Sequence, residues 1–131
     1  MKRLAIDVRP GEYAVVRLPA DAPVPAELFE PGEAFVSVTR TAEELSVICP
    51  AGREPAGATA AEAGWRLLSV RGPLEFTLTG IIAALASELA AAGVALFSMS
   101  TFDTDHILVR GTDLDHAVKA LRESGHEVAH P

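Results

Sequence analysis

The chain has a single cysteine, Cys49, so no internal disulfide can form. Cys49 lies at the end of an apolar run, Leu45–Cys49, where a buried thiol in a reducing compartment is the expected state. Aromatic residues make up only 5% of the chain, so its core must be built from aliphatic side chains, many of them alanine. Positive charge is also scarce: eleven Lys and Arg stand against eighteen Asp and Glu, a net charge of −7. Such a chain releases few phosphate counterions and finds little attraction at an anionic bilayer, so neither nucleic acid nor a membrane is an expected partner. No apolar run approaches the roughly 20 residues of a membrane span. The basic start, Met1–Asp7, is broken by Asp7, Arg9 and Glu12 before a secretory apolar core could be completed. A cytoplasmic protein is expected.

What is present suits a folded domain. Hydrophobic residues are 49% and charged residues 22% of 131 positions, enough for one compact domain or two small ones. The C-terminal half reads most clearly. Trp65–Arg71 is an apolar strand closed by Gly72-Pro73, and a helix follows from Gly80 to Ala92 with the stripe Leu78, Ile81, Ile82, Leu85, Leu89. Thr79 suits its N-cap and Gly93 its left-handed terminator. Val94–Phe102 and Asp105–Arg110 are strands around a tight turn carrying Asp103 and Thr104. Thr112 and Asp115 have the spacing of a capping box for a second helix, with the stripe Leu114, Ala117, Val118, Leu121 and a stop at Gly125. His126–Ala129 supplies a last edge strand. The order βαββαβ implies a ferredoxin-like antiparallel sheet with both helices on one face. That arrangement hosts many unrelated functions and by itself assigns none.

The N-terminal half is a shorter version of the theme. Tyr13–Leu18 is a strand, a Pro-rich segment leads to a helical turn at Ala26–Phe29, and Phe35–Thr39 with Leu45–Cys49 forms a hairpin. Ala51–Gly64, rich in Ala, Gly and Glu, reads as a linker. Phe35-Val36-Ser37-Val38-Thr39 echoes Phe97-Ser98-Met99-Ser100-Thr101, which suggests a duplication. In that register Glu43 and Glu44 echo Asp105 and His106, either as a solvated turn or as a contact with the other unit or a ligand. The expected division is a truncated unit at 1–62 and a complete one at 63–131.

Three runs are more particular: Gly72-Pro73-Leu74-Glu75-Phe76, Thr79-Gly80-Ile81-Ile82, and Ser100-Thr101-Phe102-Asp103-Thr104-Asp105-His106-Ile107-Leu108-Val109. They resemble the second unit of the CASTOR-type ACT-domain family, whose units are similar to the regulatory units of aspartate kinases. Ser37–Thr41 with Glu44–Val47 resembles the family's first unit. The resemblance implies an α+β fold of tandem ACT units and a non-catalytic regulatory module that holds a free amino acid at an ACT–ACT interface. It needs no cofactor and no metal, and it implies a homodimer and a regulated partner protein. By matching position, Leu78, Thr79, Gly80 and Ile81 would contact the ligand from the loop and helix start, and Thr101, Phe102 and Asp105 from the strand end and hairpin. The chemistry is consistent: helix-start N–H groups suit a carboxylate, and Asp105 suits an α-ammonium. Where the family's arginine-binding member carries an acidic residue this sequence has Leu78, so a ligand other than arginine is implied. The competing expectation is a constitutive assembly module without ligand.

Other patterns point to simpler roles. His126-Glu127-Val128-Ala129-His130 matches the H-E-x-x-H of zinc hydrolases, but Gly125 and Pro131 flank it and the local pattern is a strand. Asp113 and Asp115 sit at a helix start, where negative charge is favourable. Ser98, Ser100 and His106 lack the elbow and oxyanion hole of a hydrolase. His106 is expected on a strand face near the hairpin, and Trp65 as a packing anchor.

Overall fold

Apolar residues recur at every second position from Leu4 to Val8, the period of a strand with one buried face, and the chain opens as one. The computed structural model describes residues 3–72 and 80–131. Among them the strands are β1 (Ala5–Val8), β2 (Tyr13–Leu18), β3 (Ser37–Arg40), β4 (Leu45–Pro50), β5 (Ala60–Val70), β6 (Leu96–Ser100), β7 (Asp105–Arg110) and β8 (Glu127–Ala129), with helices α1 (Ile81–Ala91) and α2 (Leu114–Glu123). The chain forms two compact units. A split unit takes in Met1–Pro10 and Arg66–Pro131, and a continuous unit takes in Gly11–Trp65.

The split unit is a ferredoxin-like α+β domain with one addition. Its strand order is β8-β1-β5-β7-β6. Strand β1 pairs antiparallel with β5 (Ile6 opposite Val70, Val8 opposite Leu68) and parallel with β8 (Ile6 opposite Val128). The expected all-antiparallel sheet is therefore mixed. The N-terminal strand fills the slot between the first and last strands of the βαββαβ pattern, and because it joins this sheet, residues 1–10 do not group with the N-terminal half. The boundary falls at Trp65/Arg66, where 62/63 was expected.

Both helices cover one face of this sheet. Ile6, Val8, Leu68, Val70, Ile107, Val109 and Val128 form a single cluster with Leu85 and Leu89 of α1 and Leu114, Ala117, Val118 and Leu121 of α2. The i, i+3, i+4, i+7 spacing in α2 puts all four of its residues in that cluster. In α1 only Leu85 and Leu89 are fully buried, and alanines of high helix propensity make up much of the rest. Burying each leucine contributes roughly 1.5–3 kcal/mol. Gly93 ends α1 at φ 76°, with Gly93 N–H donating to Ala90 O (3.0 Å) and Val94 N–H to Leu89 O (2.9 Å). These are the paired bonds of a Schellman cap, and buried Val94 closes it against Leu89. The Thr112–Asp115 capping box does not form. A 3-10 turn, Gly111–Asp113, leads into α2, and its N-cap Asp113 makes no side-chain cap bond.

The continuous unit is an antiparallel sheet in the order β3-β4-β2-β5, with a 3-10 turn at Ala26–Phe29. Its own cluster gathers Ala14, Val16, Leu18, Leu28, Leu45, Val47 and Cys49. The stretch expected as a linker to Gly64 ends instead in strand. Ala60, Ala61 and Glu62 lie opposite Arg17, Val16 and Val15, held by backbone pairing while their side chains stay exposed. A register shift between Tyr13 and Val15 coincides with Gly64 at φ 80°, the left-handed residue that a bulge of this kind requires.

Gly93→Ala has open space for its methyl, so the left-handed backbone alone sets a cost of about 1 kcal/mol, against about 3 kcal/mol for the cavity left by Leu89→Ala. Urea unfolding of the two variants should show that ratio. Cys49 is fully buried and burial pushes its thiol above the ordinary range, so it should react with a thiol reagent only at the rate of unfolding.

Candidate functional site

The residues expected at the site fall on two segments. Gly80 is the N-cap of α1, in the left-handed conformation at φ 81°, and Ile81 is its first helical residue, half-buried against the core. Leu78 and Thr79 lie outside the described residues. Thr101, Phe102 and Asp105 come together on the turn between β6 and β7. Thr101 N–H donates to Thr104 O (2.8 Å), the Thr101 hydroxyl donates to the same oxygen (3.1 Å), and Thr104 N–H donates back to Thr101 Oγ1 (3.4 Å). Phe102, at the tip of the turn, is 78% exposed. Asp105 opens β7, and its Oδ1 accepts from the Ser100 hydroxyl at 2.5 Å.

The turn is anchored to the sheet's interior. The Thr104 hydroxyl donates to Val70 O at 2.6 Å, at the end of the strand from which the chain departs toward Gly80. On the sheet face away from the helices, Ser69 Oγ and His106 Nδ1 are 2.8 Å apart. Burial pushes the His106 imidazole below its ordinary value, with Arg9 acting in the same direction and Asp105 against it. Sequence reasoning placed His106 on a strand face but missed its partner, since Ser69 is 37 residues away.

The first hairpin repeats the clamp. Thr41 N–H and hydroxyl donate to Glu44 O (2.9 and 3.4 Å), and Glu44 N–H donates to Thr41 Oγ1 (3.1 Å). The geometric counterparts are thus Thr41–Glu44 and Thr101–Thr104, two residues out of step with the echo read from the sequence. Glu43 and Glu44 accordingly do not correspond to Asp105 and His106. Glu43 is an exposed turn residue whose carbonyl accepts from Arg17 Nη2 at 3.1 Å.

The H-E-x-x-H residues do not converge. His126 is 3% exposed, with Nδ1 accepting from Leu4 N–H (3.1 Å) and Nε2 donating to Glu88 Oε1 (2.8 Å). His130 is exposed. Among the described residues no group of three or more His, Cys, Asp or Glu is placed to hold a metal ion. No helix among them is long and apolar enough to cross a membrane. Two shallow grooves open on the outer helical surface, one along α2 and one between α1 and α2, and neither is lined by a residue of the expected site.

A βαββαβ domain with both helices on one face and a hydroxyl-clamped hairpin beside the end of its first strand belongs to the ferredoxin-like class of α+β domains. A family model for the ACT domain matches residues 60–123, and a second, for an N-terminal domain, matches residues 11–56. The human cytosolic arginine sensor for mTORC1 subunit 1 is 37% identical over 59 residues, which are 44% of this chain and 18% of that relative. The crystal structure of a protein from Agobacterium tumefaciens superposes with a TM-score of 0.89 at 36% identity, covering 100% of this chain and 96% of that one. Aspartate kinase from Synechocystis matches with a TM-score of 0.68 at 16% identity over 98% of this chain and 28% of the enzyme, a likeness of fold. Residues 60–123 thus carry an ACT-domain match within an ACT-type fold, with sequence likeness to the arginine sensor over part of the chain.

Because the fold disfavours the charged form of His106, the protein should lose stability as pH falls below the free imidazole value of about 6.5, with no effect of this group above it. A ring titration by NMR should find the His106 midpoint below that of a free imidazole. Ser69→Ala, which removes the facing hydroxyl, should move it.

Proposed function

We propose that the chain is a non-catalytic regulatory module that binds a free amino acid at an interface between ACT units brought together in a homodimer. The Gly11–Trp65 unit acts as a shortened ACT-like unit in a tandem arrangement. The amino acid's carboxylate lies at the start of α1 near Gly80 and Ile81, with Leu78 and Thr79 completing that side. Its ammonium is held by Asp105, and Phe102 and Thr101 close over its stem. The observation that carries this reading is the clamped turn: one short hairpin carries both a 78%-exposed phenyl ring at Phe102 and the Asp105 carboxylate, which the Ser100 hydroxyl holds in place. A fixed carboxylate is suited to pairing with an α-ammonium group. Leu78, in place of an acid, favours an aliphatic ligand over arginine.

A ligand acts on a partner protein only through unequal affinity for two states of the module. The second copy supplies that contrast if it meets this one at β6. Among the described residues β6 pairs with β7, and Leu96–Ser100 carries none of the charges or prolines that ordinarily protect an edge strand. A strand of that composition also favours the second reading, a constitutive assembly module, because it pairs with or without a ligand.

Thermal-shift and calorimetric titration with the free amino acids separates the two readings. A sensor shows saturable stabilisation by a small set of aliphatic amino acids. Asp105→Ala should weaken that binding about thirty-fold, the worth of a charge-assisted hydrogen bond of roughly 2 kcal/mol, and leave the ligand-free melting temperature close to wild type. A dimer unresponsive to every amino acid leaves only the assembly module, and tight arginine binding alone refutes the apolar side-chain pocket.

A further inference from the structure

Strand β1 is held at its start by a side chain that can take up a proton. His126 is the second residue after the C-cap of α2, where its own N–H donates to Leu121 O at 3.1 Å, and its ring is buried. Leu4 N–H points at Nδ1 from 3.1 Å, so Nδ1 must be a bare acceptor and the ring proton must sit on Nε2, where it donates to Glu88 Oε1 at 2.8 Å. One imidazole thereby joins the lead-in to β1, the start of β8 and helix α1. The Leu4 contact fits only the neutral ring, whereas the Glu88 contact fits either charge state. A second proton would sit on Nδ1, facing the Leu4 N–H with donor against donor.

From this geometry we infer that the lead-in to β1 is a proton-sensitive strap: protonation of His126 breaks its bond to Leu4 and loosens the N-terminal strand in its slot between β8 and β5. Glu88 stays paired in either state, because its carboxylate accepts a hydrogen bond from the Nε2–H of the neutral ring and of the imidazolium alike. The remaining charges on the elements around the ring are engaged elsewhere. Arg3 pairs with Glu127 at 3.6 Å, Asp7 pairs with Arg71 at 2.6 Å, and Lys119 lies 3.9 Å from Glu123. Arg122 Nη2 donates to Val128 O at 2.6 Å, and His116 Nε2 lies 2.8 Å from Ala92 O at the end of α1. Asp115 is exposed on the first turn of α2.

The slot itself makes release feasible. Since β1 runs antiparallel to β5 and parallel to β8, those two strands are antiparallel to each other. The edges that β1 leaves behind have the relative direction that the plain βαββαβ sheet pairs directly.

Amide protection factors, corrected for intrinsic exchange and followed by NMR from about pH 8 to about pH 5.5, test the strap in the ligand-free protein. Protection at Leu4 and through β1 should fall about ten-fold or more across that range, while Ile107–Val109 in β7 hold theirs. The midpoint of the fall should coincide with the ring titration of His126. In His126→Asn the side-chain oxygen still accepts from Leu4 N–H but cannot titrate, so β1 protection should be flat with pH. Unchanged β1 protection in the wild type, a joint fall of β1 and β7, a midpoint that follows His106, or a pH-dependent fall surviving in His126→Asn would each overturn the strap. The wild-type measurement decides the matter even if the variant fails to fold.

Discussion

A sheet that buries one face under two helices must pair its backbone internally, because each unpaired buried amide costs about 1–3 kcal/mol, as much as burying a leucine returns. In the split unit that requirement falls on strand β1, which bonds to β5 on one side and β8 on the other while sending Ile6 and Val8 into the core. Helices α1 and α2, the Schellman caps that end them and the buried ring of His126 are all arranged around the surface that this strand completes. Removing it would open a gap between β5 and β8 and leave the cluster short of two aliphatic side chains.

The two hairpins are closed by the same small polar device. A threonine hydroxyl that bonds to the residue three positions on closes a turn without glycine or proline, and the same clamp appears at Thr41 and at Thr101. In the second turn the clamp is fastened to Val70 O through Thr104, so the tip that carries Phe102 projects from a fixed base. Preorganisation of this kind lowers the entropy lost when a ligand or a second copy settles on the tip.

Much of the domain was legible along the chain. The period of Leu114, Ala117, Val118 and Leu121 identified α2 and its buried face, and Gly93 and Gly125 were recognisable as helix stops because few other residues tolerate a left-handed backbone. The runs that carry the family resemblance lie mostly in the span matched by the ACT-domain model. Less legible was anything held by backbone alone. Ala60–Glu62 shows no alternation of apolar residues because its side chains remain in water, and its strand state comes from the amides of β2. The Leu4, Ile6, Val8 alternation was visible, yet nothing local says that a strand so near the start pairs with residues some sixty and one hundred and twenty positions away.

For the candidate site the division is similar. The family resemblance nominated Thr101, Phe102 and Asp105, and one tight turn keeps such near neighbours together whatever the rest of the chain does. The bonds of Thr104 to Val70 and Ser69 to His106, and the enclosure of His126 between Leu4 and Glu88, depend on strand order and helix packing. Local periodicity and turn chemistry act over a few residues and can be read from the chain. Which distant polar groups finish each other's hydrogen bonds follows from how the sheet is assembled, and it is that assembly that turned a zinc-like H-E-x-x-H string into the fastening of a strand.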